Sequence, residues 1–143
     1  MKVFENTDGF LLRLARGEEI HATLTRFAAD RGIRGAWVSG LGAVRDVELG
    51  FYHLETRSYD RQVIDEEMEI LSLTGNLSLL DGRPFLHAHV SLMRADFSVA
   101  GGHLFRGTVA ATGEFSLHQT DLRLERRMDE EIGLPLLEAE RGA

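Results

Sequence analysis

Cysteine is absent from this chain of 143 residues, which excludes disulfides, a thiolate nucleophile and Cys-ligated zinc or iron–sulfur centres. Proline occurs only twice, and no Ser- or Gly-rich tract interrupts the sequence, so nothing resembles an interdomain linker. No apolar run approaches the ~20 residues needed to cross a bilayer, and the opening MKVFENTDGF lacks the apolar segment of a secretory signal. The expected setting is therefore cytoplasmic, with no membrane partner. Positive charge is also in short supply: 16 Lys and Arg face 23 Asp and Glu, a formal charge of −7. Such a surface repels phosphate backbones and anionic lipid, so the overall field weighs against nucleic acid as a partner.

What is present fits one ordinary globular domain, with 43% hydrophobic and 27% charged residues. Residues 10–15 form a short apolar run and read as a strand ended by Gly17. Glu18 and Glu19 then open a helical pattern in which Ile20, Leu24, Phe27 and Ala28 make one apolar stripe, and Gly32 closes it. His21 lies one position off that stripe and reads as a surface residue. Residues 33–43 are small, apolar and Gly-rich. They lack the Lys-Ser/Thr of a phosphate-binding loop and read as a buried strand, with Trp37 in core or interface packing. A strand over 44–53, a polar hairpin region over 56–62 and a long strand pair over 66–80 follow, with Gly75-Asn76 as a tight turn inside the pair. Leu122 and Leu124 give a last alternating piece. The domain is expected over residues 1–125, and 126–143 as a charged tail that docks in part through the apolar knot at 132–137. The sum is an α+β fold, a mixed and largely antiparallel β-sheet of about seven or eight strands with one main packed helix. One helix leaves apolar area on the other sheet face, so association is expected.

The chemistry concentrates between residues 81 and 105, DGRPFLHAHVSLMRADFSVAGGHLF. Gly82 and Pro84 mark a turn, after which residues 85–93 alternate with period two. Leu86, Ala88, Val90 and Leu92 make an apolar face; His87, His89 and Ser91 make the other. Imidazoles at i and i+2 on a strand point the same way. His103 follows a second short strand pattern at 96–100 and the pair Gly101-Gly102. Three histidines converging from neighbouring strands would make a metal site with one position open. Neutral imidazoles suit Zn²⁺, with Ni²⁺, Co²⁺ or Cu²⁺ able to compete. The alternative keeps all three as solvated or hydrogen-bonded side chains. His53 and His118 lack same-face partners and read as structural.

The order of features also resembles the PPC (plants and prokaryotes conserved) domain. The likeness rests on Arg13 with Gly17-Glu18, SGLGAVRDVELGFY at 39–52, EILSLTGNLSLLDGRPFLHAHVSL at 69–92 and VAGGHLFRGTVAATGEF at 99–115. The resemblance implies an α/β fold with a mixed, largely antiparallel sheet, assembled as a homotrimer. It implies partner binding or DNA-related regulation in plant members, where the domain sits beside AT-hooks. The fold is similar to that of acetolactate decarboxylase, a zinc enzyme whose ligands would fall on His87, His89 and His103. An AT-hook core is Arg-Gly-Arg-Pro among basic residues. Here Gly82-Arg83-Pro84 follows Asp81 and precedes Phe85, which is a turn and not a minor-groove grip.

A metal-assisted reaction would need an acid–base group. Glu69 is the first candidate, with Glu67 on the same face. Arg13, Arg94 and Arg106 could each bind an anionic small-molecule substrate, and none stands out. Asn76 reads as a turn residue and not a ligand.

Overall fold

A computed structural model describes residues 1–141. Nine strands and one helix occur among them, which refines the expected strand count and bears out the α+β class. The strands are β1 Lys2–Asn6, β2 Gly9–Ala15, β3 Ala36–His53, β4 Ser58–Ile64, β5 Met68–Leu80, β6 Arg83–Met93, β7 Val99–Gln119, β8 Leu122–Asp129 and β9 Leu134–Arg141; the helix is α1 Ile20–Arg31. All pairings are antiparallel except that of β5 with β8. The main path runs β1-β2-β7-β3-β5-β8-β9, with β4 on β3 and β6 bridging β5 and β7. Because β3 also pairs with both β5 and β7, these four strands close a ring. No described helix is long and apolar enough to cross a membrane.

The helix forms where its stripe and its caps agree. Ile20, Leu24, Phe27 and Ala28 are all buried, as the 3.6-residue spacing requires. Glu19 is the N-cap, accepting from the backbone N–H of His21 at 3.1 Å and of Ala22 at 2.6 Å. Its Oε1 also accepts from Gly107 N on β7 at 3.3 Å, so one carboxylate ties the helix start to the sheet. Burial would raise the Glu19 pKa, but these hydrogen bonds hold it down at about 2. Phe10 meets Phe27 edge to face, and Leu12, Leu14, Leu104, Phe115 and Leu117 complete the core beneath the helix.

Several sequence expectations are corrected. Residues 33–53 give a single strand from Ala36, bent by a register shift at Gly40/Gly42. The long pair expected over 66–80 is one strand, β5, with its slip between Ile70 and Ser72. Gly75-Asn76 is therefore no turn. Gly75 is required for space: a Cβ there would collide with the backbone carbonyl of His87 across the ladder. The real turn joins β5 to β6 through Asp81 and Gly82, with φ of 51° and 74°, the two-residue geometry that favours Asp-Gly. Pro84 is tolerated inside β6 because β7 joins that strand only from His89 onward, leaving one side free. Residues 95–97 are a turn and bend, and β7 runs unbroken from Val99 to Gln119. The expected tail is a hairpin, β8–β9, fixed to the body by the Tyr52 hydroxyl donating to Ile132 O at 2.8 Å. Trp37 is 54% exposed, so it is not a core residue.

Replacing Glu19 with Ala removes the cap and orphans Gly107 N, and should lower unfolding stability by about 1–2 kcal/mol in urea titrations at neutral pH. Because the folded pKa of Glu19 lies below its unfolded value, its contribution is present above about pH 4.5 and fades as pH falls toward 2. The deficit of the variant should therefore shrink in the same range.

Candidate metal centre

The ring closure of β6 against β7 builds the site. His87 and His89 project from one face of β6, and His103 on β7 stands in register directly opposite His89. One ring nitrogen from each of the three lies within 4.8 Å of the others. The rings are 5.2 Å (His87–His89), 5.1 Å (His87–His103) and 5.5 Å (His89–His103) apart, centroid to centroid. Ligands about 2 Å from a tetrahedral ion stand about 3.3 Å from one another, so modest rotation of the rings would bring these nitrogens onto one ion. His87 and His103 are half-buried, while His89 is exposed and faces the open side.

The electrostatics favour neutral rings. Burial, the Arg126 cation and the neighbouring His89 push the His87 pKa down to about 4. Burial first, then His87 and His89, hold His103 at about 4. Both imidazoles thus keep a lone pair at neutral pH, the form a metal requires. The Nδ1 of His103 is buried without a hydrogen-bond partner, an unmet polar atom of the kind an ion would satisfy. His103 is walled by Phe105 at 4.6 Å and Tyr59 at 5.3 Å between ring centroids. Burial raises the Tyr59 pKa, and Tyr52 adds to the effect. Its hydroxyl stays protonated.

A fourth polar residue reaches the site from outside the region that sequence reasoning favoured. Arg126 on β8 donates from Nε to Ser78 Oγ at 3.0 Å, and its NH1 donates to Pro135 O at 3.0 Å. Its NH2 donates to Asn76 Oδ1 at 2.9 Å and lies 3.1 Å from His87 Nδ1. Asn76 is directly opposite His87 in the ladder, so the residue first read as a turn belongs to the wall of the site. Burial lowers the Arg126 pKa, yet the guanidinium remains a cation. The signal that could have found it is its phase: Leu122, Leu124 and Arg126 share one face of β8, and Leu124 is buried. An Arg in the apolar phase of a strand asks for a polar partner.

Glu69, the expected acid–base residue, is corrected. It shares the sheet face of the histidines but pairs with Met93, four residues beyond His89 and roughly 13 Å along the strand. It is exposed and, with Glu67, lines a separate cavity beside Met68, Arg94 and Phe97. Of the three candidate arginines, Arg94 ion-pairs with Glu66 at 2.7 Å, and Arg13 and Arg106 are exposed on β2 and β7. His53 pairs with Asp60 at 2.8 Å and His118 is exposed, both away from the trio. His21 is not a plain surface residue. Its Nδ1 is buried 3.8 Å from Glu19, at the start of α1.

With this geometry in place, comparison with known proteins gives a family. Residues 1–121 match the Plants and Prokaryotes Conserved (PCC) domain. The chain belongs to that family. A plant- and prokaryote-conserved (PPC) protein of Pyrococcus horikoshii is 33% identical, with a TM-score of 0.85 over 96% of this chain and 93% of that one. A metal-containing protein of Archaeoglobus fulgidus is 43% identical, with a TM-score of 0.84 over 95% of this chain and 98% of that one. A protein of Bacteroides thetaiotaomicron, named as a candidate DNA-binding protein, is 28% identical with a TM-score of 0.91, covering 96% of each chain. No curated protein matches the chain.

The depressed His87 and His103 values make the stability of this PPC chain pH-dependent. In each case the folded pKa lies below the unfolded one, so the unfolded chain takes up protons first. Stability should fall as pH drops from about 6.5 toward 4. Thermal melts at pH 7 and pH 5 should show this, and a His87→Gln, His103→Gln variant should have a flatter profile.

Proposed function

We propose that this PPC-domain protein holds a divalent transition-metal ion, zinc foremost, on His87, His89 and His103, and uses it to bind a small molecule or to assist its reaction. The observation that carries the reading is the convergence of three imidazole nitrogens within 4.8 Å from two adjacent strands. The neutral state of the two half-buried rings and the orphaned Nδ1 of His103 support it. The 43% identical relative described as metal-containing supports it further. A three-imidazole zinc ion leaves a position at which a carbonyl oxygen is polarised or water acidified. Within this chain, His89 is the exposed member of the trio, and Phe105 and Tyr59, whose hydroxyl stays protonated, pack against His103. Within one chain, Glu69 stands too far along β5 from His89 to serve as its acid–base group.

The assembly is proposed to be a homotrimer. Leu11, Trp37, Leu41 and Leu71 are 41%, 54%, 54% and 52% exposed and share the outer face of β2, β3 and β5. A groove over this face is lined by Leu11, Leu41 and Leu71, an apolar surface that suits a second copy. A second functional reading is DNA binding, favoured by the name of the relative from Bacteroides thetaiotaomicron. The charge of −7 opposes it.

Protein purified without a His-tag should carry about one transition-metal ion per chain in elemental analysis, and a His87→Ala, His89→Ala variant should carry none. Light scattering should give three times the chain mass, and Trp37→Asp should lower it. Gel-shift titration at moderate salt should show no retardation at micromolar protein; retardation with a steep salt slope would favour the DNA reading.

A further inference from the structure

Arg126 is unlike the other site residues in carrying a charge with nothing to offset it. Arg61, Arg94, Arg123 and Arg127 each ion-pair with a glutamate. Arg126 is half-buried, and among the described residues it makes no ion pair. Its four partners, Ser78, Pro135, Asn76 and His87, are all neutral acceptors. Three of them hold the guanidinium in place: two side chains of β5 and a carbonyl of its own hairpin. The fourth contact, to His87 Nδ1, is different in kind.

A neutral imidazole has one lone pair. Here that lone pair accepts from Arg126. If His87 ligates an ion through Nδ1, the lone pair is taken. If it ligates through Nε2, the ring proton must move to Nδ1, which then cannot accept. Whichever nitrogen binds, Arg126 loses this acceptor, and one N–H of a fixed guanidinium beside His87 is left without a partner. Ion binding also adds two positive charges beside a cation that has no carboxylate partner. Both changes call for the same ligand, an anion with at least two oxygens, one for the guanidinium and one for the open coordination position.

We propose that the ion-loaded site binds a small-molecule oxyanion, a carboxylate or phosphate group, with Arg126 as its anchor. This rests on the three-histidine ion site proposed above. Arg126 is a ligand-binding residue that the metal-free protein keeps engaged with His87 and the loaded protein releases.

The test is calorimetric titration of zinc-loaded, untagged protein with acetate and with inorganic phosphate, using acetamide as the neutral control and elemental analysis to fix zinc occupancy. Wild type should bind one of the two anions, which identifies the class, and should bind it at least about tenfold more tightly than Arg126→Gln at equal zinc occupancy. Metal-free wild type should bind it far more weakly. By linkage, the same anion should raise zinc affinity in wild type and not in the variant. Equal anion affinity in wild type and variant, or no binding of either anion by fully zinc-loaded wild type, overturns the inference while leaving the metal reading intact. Wild type that takes up no zinc defeats the metal reading and this inference with it. Should Arg126→Gln fail to fold, Arg126→Lys decides the same comparison. A lysine keeps the charge but cannot span Asn76, Ser78 and an anion together, so a several-fold loss is expected and an unchanged affinity counts against the proposal.

Discussion

The pairing of β6 with β7 is the constraint on which the site depends. Five residue pairs, from His89↔His103 to Met93↔Val99, close the ring of β3, β5, β6 and β7. A one-residue slip would send His103 to the opposite face, where Leu104 now packs in the core. Two features keep the register. Val90 and Leu92 on β6 and Leu104 on β7 are buried, so a slip would expose them. Gly101 admits the close backbone approach, since a Cβ there would stand 2.6 Å from Val90 O. The geometry of three imidazoles is thus a by-product of core packing, which fixes it more firmly than contacts among the histidines could.

Around that frame the buried polar groups are few, and two of the three share one partner. Thr23, Asn76 and Ser78 are the buried polar residues among those described, and Arg126 satisfies two of them. Without the guanidinium, an amide and a hydroxyl on β5 would face an apolar interior with their acceptors unmet. The parallel pairing of β5 with β8, only Leu79↔Glu125 and Leu80↔Arg126, is correspondingly short. The hairpin therefore relies on side-chain contacts such as that network and the Tyr52–Ile132 bond where ladder bonds are scarce.

Much of this was legible in the sequence because it followed from period and parity. The apolar stripe of α1 and the alternation of Leu86, Ala88, Val90 and Leu92 each dictated a face, and the structure buries those faces. The same parity put His87 and His89 together. His103 was harder, since its face depends on which strand pairs with which, and nothing local to residues 99–103 states that. Glu69 shows the limit from the other side. The bulge between Ile70 and Ser72 reverses its parity and puts it on the histidine face, and its distance along the strand is a matter of register; neither is written in the local sequence. Asn76 misled because Gly-Asn is a common turn pair; here Gly75 serves backbone clearance and Asn76 serves Arg126. Arg126 lay in a segment so rich in charge that one more Arg carried no contrast.

The division of the site between segments bears on how it would work. All three histidines lie within residues 1–121, the part matched by the family, whereas Arg126 lies beyond it on the β8–β9 hairpin. Strands β5, β6 and β7 fix the imidazoles through the core, so an ion held there would depend on packing that the fold also needs. The hairpin is attached by a short ladder and polar contacts, outside the packing that fixes the imidazoles. On this arrangement the shared domain would supply the ion and the hairpin would supply the charge that selects what the ion meets. Two sites built this way could hold the same metal and accept different ligands, because the residue that would discriminate is not one of those that would ligate.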